Sequence, residues 1–361
     1  MNSTVLVLGA GGRFGRAASV AFARAGWMVI GQTRGRPGDS GGNGTRLVQA
    51  APDDTGRLAA EARGAVVVVN AMNPLYTRWN EEALPLQSAA VAVARRLGAT
   101  LMLPGNVYNF GRPVPAVIDE SAPQRPTGSK AAIRIRMEAA MRVDGLRSIV
   151  VRAGDFFGGT GAGTWMDQAI LKDLARGRIV YPGPLDRVHA WAYLPDLAEA
   201  FVRVATVRDR LPSHAALPFP GHCLTGAELV AGIAAAARRS GVPPDGRALR
   251  VAGLPWTLIR LAGLFNPMLR ELARMSYLWR EPHRLDGAAL ERLIGPVPHT
   301  PLDQALDETL RHAAGLRAAG PGAGPDRASG RSGYRAPHSG QGAPGPADGR
   351  GLLSDSRSGS G

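Results

Sequence analysis

The stretch "TVLVLGAGGRFGR", residues 4–16, decides the fold. "TVLVL" is a short apolar run of the kind that forms a buried strand. Glycines come next at Gly9, Gly12 and Gly15, and "RFGRAASVAFARAG" then carries a helical pattern. A strand that turns through glycines into a helix makes room for a phosphate. Backbone without Cβ allows close approach, and the helix N-terminus offers free N–H groups and a positive dipole end. Read from Gly9, the common G-x-G-x-x-G fingerprint fails, because Phe14 fills its last glycine slot. A three-residue spacing works throughout. Gly9, Ala10, Gly11, Gly12, Arg13, Phe14 and Gly15 are therefore the candidate cofactor-binding turn. The alternative is a tight turn with no ligand.

Outward from this turn, short apolar runs alternate with amphipathic ones. Strands are expected at 27–33, 65–70 ("AVVVVN"), 100–105 ("TLMLPG") and within "RSIVVRAG". Helices are expected in "EEALPLQSAAVAVARRLG", with Pro85 confining the regular part to the residues after it, and in "SKAAIRIRMEAAMRVDG". Continuous apolar strands alternating with helices imply an α/β, Rossmann-like, doubly wound parallel sheet. Residues 1–154 are assigned to this dinucleotide-binding domain. Residues 155–316 are assigned to a smaller, interwoven α/β substrate-binding part. Its expected helices are 164–176, 195–208, 225–239 and 301–314, with short strands at 178–181 and 247–251. From 317 to 361, Gly, Pro, Ser and Arg dominate. Such a composition buries too little to offset chain entropy, so a disordered tail is expected.

The formal charge of +14 admits an anionic partner. The arginines are scattered and the aromatics sparse, so the expectation is a small anionic ligand and no nucleic acid. Cys223 is the single cysteine, which excludes an intrachain disulfide and fits a cytoplasmic setting. No Cys/His cluster suggests a metal. The N-terminus lacks the basic region of a signal peptide, and no apolar run reaches the roughly 18 residues of a membrane span, so no membrane partner is expected. A homodimer is an open expectation.

The glycine spacing, together with segments further along the chain, resembles the NAD-dependent epimerase/dehydratase family, the extended branch of the short-chain dehydrogenase/reductase superfamily. The resemblance runs over about residues 4–314. "VVVVNAMNP" is similar to the family's fourth strand, which implies Asn70 and Ala71 at the cofactor edge. "LMLPGNVYNFG" is similar to its fifth strand and Val-Tyr turn, and "VVRAGDFFG", "HAWAYLPDLAEAFV", "FPGHCLTGAELVAGI" and "HTPLDQALDETL" to later signatures. After the second strand, an acidic residue would favour NAD. Gln32, Thr33, Arg34 and Arg36 stand there instead, and a guanidinium suits a 2′-phosphate, so NADP is preferred to NAD, with Arg34 the named contact. A solvated Arg34 is the alternative. Asp53 or Asp54 takes the place of an acidic residue that the family puts near the adenine.

The resemblance also implies a catalytic Tyr four residues before a Lys. Lys130 occupies the Lys position, but Pro126 stands where the Tyr belongs, and Leu103 and Pro104 replace the usual Ser/Thr. Lys130 is one of only two lysines among 43 basic residues. It is not a P-loop lysine, since Ser129 separates it from Gly128. A cofactor-side role and a plain surface lysine remain the two readings. Tyr108 is the candidate acid/base, with a packing role as its alternative. Asn106, Asp155, His189 and Tyr193 are candidates on the substrate side, and Asn109 is a further possible donor. Two functions are compatible with these residues. One is an oxidoreductase or epimerase acting on a sugar nucleotide or related carbonyl or hydroxyl compound. The other is a non-catalytic NADP(H)-binding sensor or assembly module.

Overall fold

The structure, a computed structural model, describes residues 3–35, 44–161, 163–243, 246 and 248–318. Arg36 and the tail from 319 onward lie outside the described residues. The order of elements is β1 (Thr4–Leu8), α1 (Arg13–Arg24), β2 (Met28–Thr33), β3 (Thr45–Gln49), α2 (Thr55–Glu61), β4 (Ala65–Asn70), α3 (Trp79–Leu97), β5 (Thr100–Gly105), β6 (Val117–Ile118), α4 (Ser129–Ala139) and β7 (Ser148–Arg152). It continues with β8 (Asp155–Phe157), β9 (Arg178–Tyr181), β10 (Val188–Tyr193), α5 (Leu194–Thr206), β11 (His214–Pro218), β12 (His222–Thr225), α6 (Gly226–Arg239) and β13 (Arg250–Gly253). The last elements are α7 (Trp256–Ala262), α8 (Pro267–Arg274), β14 (Arg284–Leu285), α9 (Ala288–Ile294) and α10 (Leu302–Ala318).

Seven strands form one sheet in the order β3-β2-β1-β4-β5-β7-β11, and every pairing within it is parallel. The apolar strands explain why both faces are covered. Val5, Val7, Val67 and Val69 point to one face, under α1 and α5. Leu6, Leu8, Val68 and Leu101 point to the other, under α2, α3 and α4. Full burial of each such side chain contributes about 1.5–3 kcal/mol. The seventh strand comes from residues 214–218, so the chain returns to the first sheet after passing 155. The later residues also build a small sheet of β12, β10 and β8 and a pair of β9 with β13. Around these, Trp191, Leu229, Ile233 and Leu306 form a separate core.

Two expected helices differ, and the strand expected at 247–251 lies at Arg250–Gly253. Helix α3 begins at Trp79 and runs through Pro85 rather than starting after it. The missing N–H falls in the second turn, where buried Trp79 and Ala83 anchor the helix, and Glu81 and Glu82 suit its positive end. Over 164–176 there is no continuous α-helix. A π-helical turn at Met166–Ile170 and a 3-10 turn at Leu174–Arg176 take its place. The widened turn closes with the Leu171 N–H on the Met166 carbonyl at 2.8 Å. It lets Met166, Ile170, Leu171 and Leu174 all be buried.

At the β1–α1 junction, a Cβ on Gly15 would lie 2.2 Å from the Gly9 carbonyl oxygen. Gly15→Ala is expected to destabilise the protein by about 2–3 kcal/mol. A Cβ on Gly56, in α2, meets nothing within 4 Å. Gly56→Ala is expected to stabilise by roughly 0.5–1 kcal/mol, by lowering the entropy of the unfolded chain. Denaturant midpoints of the two variants would check the contrast.

Candidate active site

The glycine turn is fixed from below. The Gly9 N–H donates to Gln32 Oε1 at 2.9 Å, and Gln32 Nε2 donates to the Ala50 carbonyl at 2.7 Å. Gln32 is therefore turned inward and buried, a structural strut rather than a cofactor contact. Gly9 adopts φ 75°, and a Cβ there would sit 3.0–3.1 Å from the Ala71 and Met72 backbone. The turn is thus pressed against the end of β4. Gly12 caps α1 without a side-chain bond, which leaves the first N–H groups of the helix to a ligand. This cradle fits a dinucleotide pyrophosphate. Phe14 contributes backbone only, since its ring packs in the core against Phe201 at 4.8 Å. Arg13 reaches across, donating from Nε to the Gly158 carbonyl at 2.8 Å and pairing closely with Asp167.

At the end of β2, Thr33 Oγ1 lies 3.5 Å from where a Gly11 Cβ would be, and Arg34 is exposed. With Gln32 turned in, no carboxylate stands after β2 at 33–35. Asp54 is used as the cap of α2, accepting from the Arg57 N–H at 3.3 Å. Asn70 reaches the sheet edge, but its side chain is buried, donating to Gln87 Oε1 at 2.8 Å and accepting from the Met72 N–H at 3.2 Å. What Asn70 and Ala71 offer at the edge is backbone.

Lys130 is no surface residue, being 4% exposed. It enters at the first turn of α4, and its ammonium donates to the Tyr76 carbonyl at 2.8 Å and pairs with Glu271 at 2.9 Å. It also lies 4.0 Å from the centre of the Tyr76 ring. Tyr76 comes after β4, and its hydroxyl is 3.4 Å from that of Tyr108, which comes after β5. Trp79 packs against both rings. Pro126 is exposed and supplies no proton, and Leu103 is a core residue. Burial pushes the Tyr108 phenol well above its ordinary value, with the negative charge of Asp155 adding to the effect. Burial and the neighbouring Tyr108 do the same to Tyr76. Both phenols stay protonated near neutrality, so they are equipped to donate to a substrate oxygen rather than to act as bases.

The remaining candidates divide. Asp155 and His189 meet, with Oδ2 and Nε2 2.8 Å apart. The His189 ring lies flat on Trp279 at 4.4 Å and edge-on to His283 at 4.8 Å. Tyr193, by contrast, is buried and bonds Glu308 of α10, tying β10 to that helix. Asn106 accepts from the Tyr108 N–H at 3.1 Å and shapes the turn. Asn109 is not a free donor, because its buried amide is spent on Glu138 at 2.8 Å. Glu138 in turn pairs with fully buried Arg152 at 2.6 Å. Glu271, Trp279 and His283 escape sequence reading altogether, since they arrive from helices and loops far along the chain. Tyr76 had a readable signal in its position just after the fourth strand.

A doubly wound parallel sheet with a glycine cradle at its first strand defines a dinucleotide-binding fold. A model described as the NAD dependent epimerase/dehydratase family matches residues 5–216, and the chain belongs to that family. No curated protein matches the chain. Among solved structures, MoeE5 in complex with UDP-glucose and NAD is similar at a TM-score of 0.66 and 16% identity, covering 87% of this chain and 100% of its own. WbmH of Bordetella bronchiseptica, in complex with NAD+, gives 0.66 and 16% over 89% and 100%. L-threonine dehydrogenase of Clostridium difficile gives 0.67 and 14% over 87% and 98%. At such identities the likeness is one of fold.

Burial, with His189 adding to it, lowers the His283 pKa to about 4, and burial with His299 does the same for His222. The folded protein therefore holds both rings neutral. Above about pH 6.5 this costs nothing, because the unfolded chain is neutral there too. As pH falls from about 6.5 toward 4, the unfolded chain takes up protons that the fold does not, and stability is lost. The loss at His283 reaches about 3 kcal/mol at the acid end of that window. Urea midpoints measured between pH 7.5 and 5 should fall in the wild type and fall less in His283→Gln.

Proposed function

We propose that the protein is an NADP-preferring oxidoreductase or epimerase acting on a sugar nucleotide or a related carbonyl or hydroxyl compound. The observation that carries this reading is the delivery of buried Lys130 and the Tyr76–Tyr108 pair to the same carboxyl edge of the sheet as the glycine cradle. Ligands bind at that edge in open α/β folds. The turn of Gly9, Ala10, Gly11, Gly12, Arg13, Phe14 and Gly15 would hold the pyrophosphate, with Ala71 closing the edge and Arg34 facing a 2′-phosphate. The cofactor, when bound, supplies or accepts hydride. In the reducing direction Tyr108 donates a proton or hydrogen bond to the carbonyl oxygen, in place of the tyrosine that Pro126 replaces. Lys130 orients the nicotinamide ribose and holds positive charge beside the Tyr76 ring. Asp155 and His189, paired at 2.8 Å, would line the substrate side together with Asn106. The nucleotide-sugar reading is supported by MoeE5, whose structure holds UDP-glucose with NAD.

A second reading, an NADP(H)-binding sensor or assembly module without turnover, is favoured by one specific observation. The Lys130 ammonium is already engaged by Glu271 and the Tyr76 carbonyl.

Single-turnover oxidation of bound NADPH across a panel of sugar nucleotides and simple carbonyl compounds separates the two. Turnover with at least one compound is expected, slowed at least about tenfold by Tyr108→Phe. Tight NADPH binding with no oxidation across the panel would establish the sensor. Arg34→Ala is expected to weaken NADP by about 1–2 kcal/mol and leave NAD unchanged. The shift in melting temperature that each cofactor produces reads this out. Lys130→Met, which leaves the Glu271 carboxylate held by Arg274 at 2.6 Å, is expected to lower the shift for both cofactors. An unchanged shift would remove Lys130 from the cofactor site.

A further inference from the structure

Helices α7 and α8 form a hairpin whose two sides differ sharply. The inward side is built. Ile259 is buried, and Trp256 Nε1 donates to the Pro182 carbonyl at 2.7 Å. A Cβ on Gly263 would lie 3.0 Å from Arg270 Cα, where the helices approach. Glu271, the only acidic residue between 256 and 274, is spent on buried Lys130 and on Arg274. The outward side carries Leu258, Leu261, Leu264, Phe265 and Met268, with Leu264 69% and Phe265 91% exposed. Asn266 holds the tip by accepting from the N–H groups of Met268 and Leu269 at 2.9 and 3.2 Å. Arg260 and Arg270 are exposed on the same hairpin.

An exposed apolar cluster of this kind marks an interaction surface. Its charge selects the occupant. A second copy seated symmetrically would lay the same hairpin face on itself, and that face offers Arg260 and Arg270 no outward carboxylate to pair with, in a chain of formal charge +14. Anionic lipid satisfies both components at once. Guanidinium groups bind headgroup phosphates through charge-assisted bonds, and apolar side chains enter the acyl boundary. Among the described residues no helix is long and apolar enough to cross a membrane, so the contact is one of surface, and it departs from the sequence expectation of no membrane partner, which rested on spans and signal peptides alone.

We propose that the α7–α8 hairpin docks the protein on an anionic lipid surface, with Leu264 and Phe265 at the acyl boundary and Arg260 and Arg270 among the phosphates. The docking face and the Lys130 partner Glu271 share one hairpin, so docking would bear on an element that packs against the candidate site.

Co-sedimentation of the full chain with vesicles tests this, using phosphatidylcholine alone or mixed with phosphatidylglycerol. The wild type is expected to bind the mixed vesicles and to release as salt rises. Leu264→Ser/Phe265→Ser is expected to lower partitioning at least about tenfold, with an unchanged melting temperature. Arg260→Gln/Arg270→Gln is expected to remove the preference for the anionic lipid. Failure of the wild type to bind either vesicle overturns the proposal, as does undiminished binding of Leu264→Ser/Phe265→Ser. A concentration-dependent dimer in sedimentation equilibrium, dissolved by the same double substitution, would give the face to a second copy instead.

Discussion

The close approach of Gly15 to Gly9 is the constraint on which the rest of the molecule depends. With a Cβ position 2.2 Å from the Gly9 carbonyl oxygen, only glycine lets α1 leave β1 at this angle. That angle sets α1 against α5, with Phe14 edge-on to Phe201. It also brings the turn down on the end of β4 and leaves uncapped N–H groups at the carboxyl edge of the sheet. One steric requirement thereby fixes helix packing and a phosphate cradle together.

Two buried charge pairs organise the neighbouring edge, and they differ in what they do. Arg152 and Glu138 are both 2% exposed and are joined by Asn109 and Gln124. That network spans β7, α4 and the turn after β5, and removing one partner of such a pair typically costs about 3–5 kcal/mol. Its role is to hold the turn that carries Tyr108. Lys130 and Glu271 link α4 to the α7–α8 hairpin, with the ammonium over the Tyr76 ring. Here the charge lies over the ring of Tyr76, whose hydroxyl is 3.4 Å from that of Tyr108. Lysine suits the place because a compact ammonium fits above one ring and beside one carbonyl, where a planar guanidinium would need more room.

Much of the first sheet was legible in the sequence. β1, β2, β4, β5 and β7 are near-continuous apolar runs, and burial on both faces leaves no other reading for them. β3 and β11 were not legible. β3 (TRLVQ) is a half-exposed edge strand with weak apolar character. β11 (HAALP) joins the sheet only because the chain returns after α5. Pro85 misled because local propensity is outweighed when Trp79 and Ala83 are buried ahead of it. The region 164–176 misled because its apolar spacing suits a widened turn as well as a regular helix.

The candidate site shows the same division. Residue order alone determined the glycine cradle, the lack of a carboxylate at 33–35, the loss of the family's tyrosine at Pro126 and the position of Lys130 at the start of a helix. These are properties of adjacent residues, and a one-dimensional pattern carries them. Only the tertiary structure decided that Gln32 and Asn70 spend their side chains inside the fold, that Tyr193 braces α10, and that Asp155 meets His189. It alone brought Tyr76 to Tyr108 and Glu271 to Lys130, across 32 and 141 positions of chain. Burial, charge pairing and hydrogen-bond satisfaction act between groups that are near in space, and spacing along the chain does not encode that nearness.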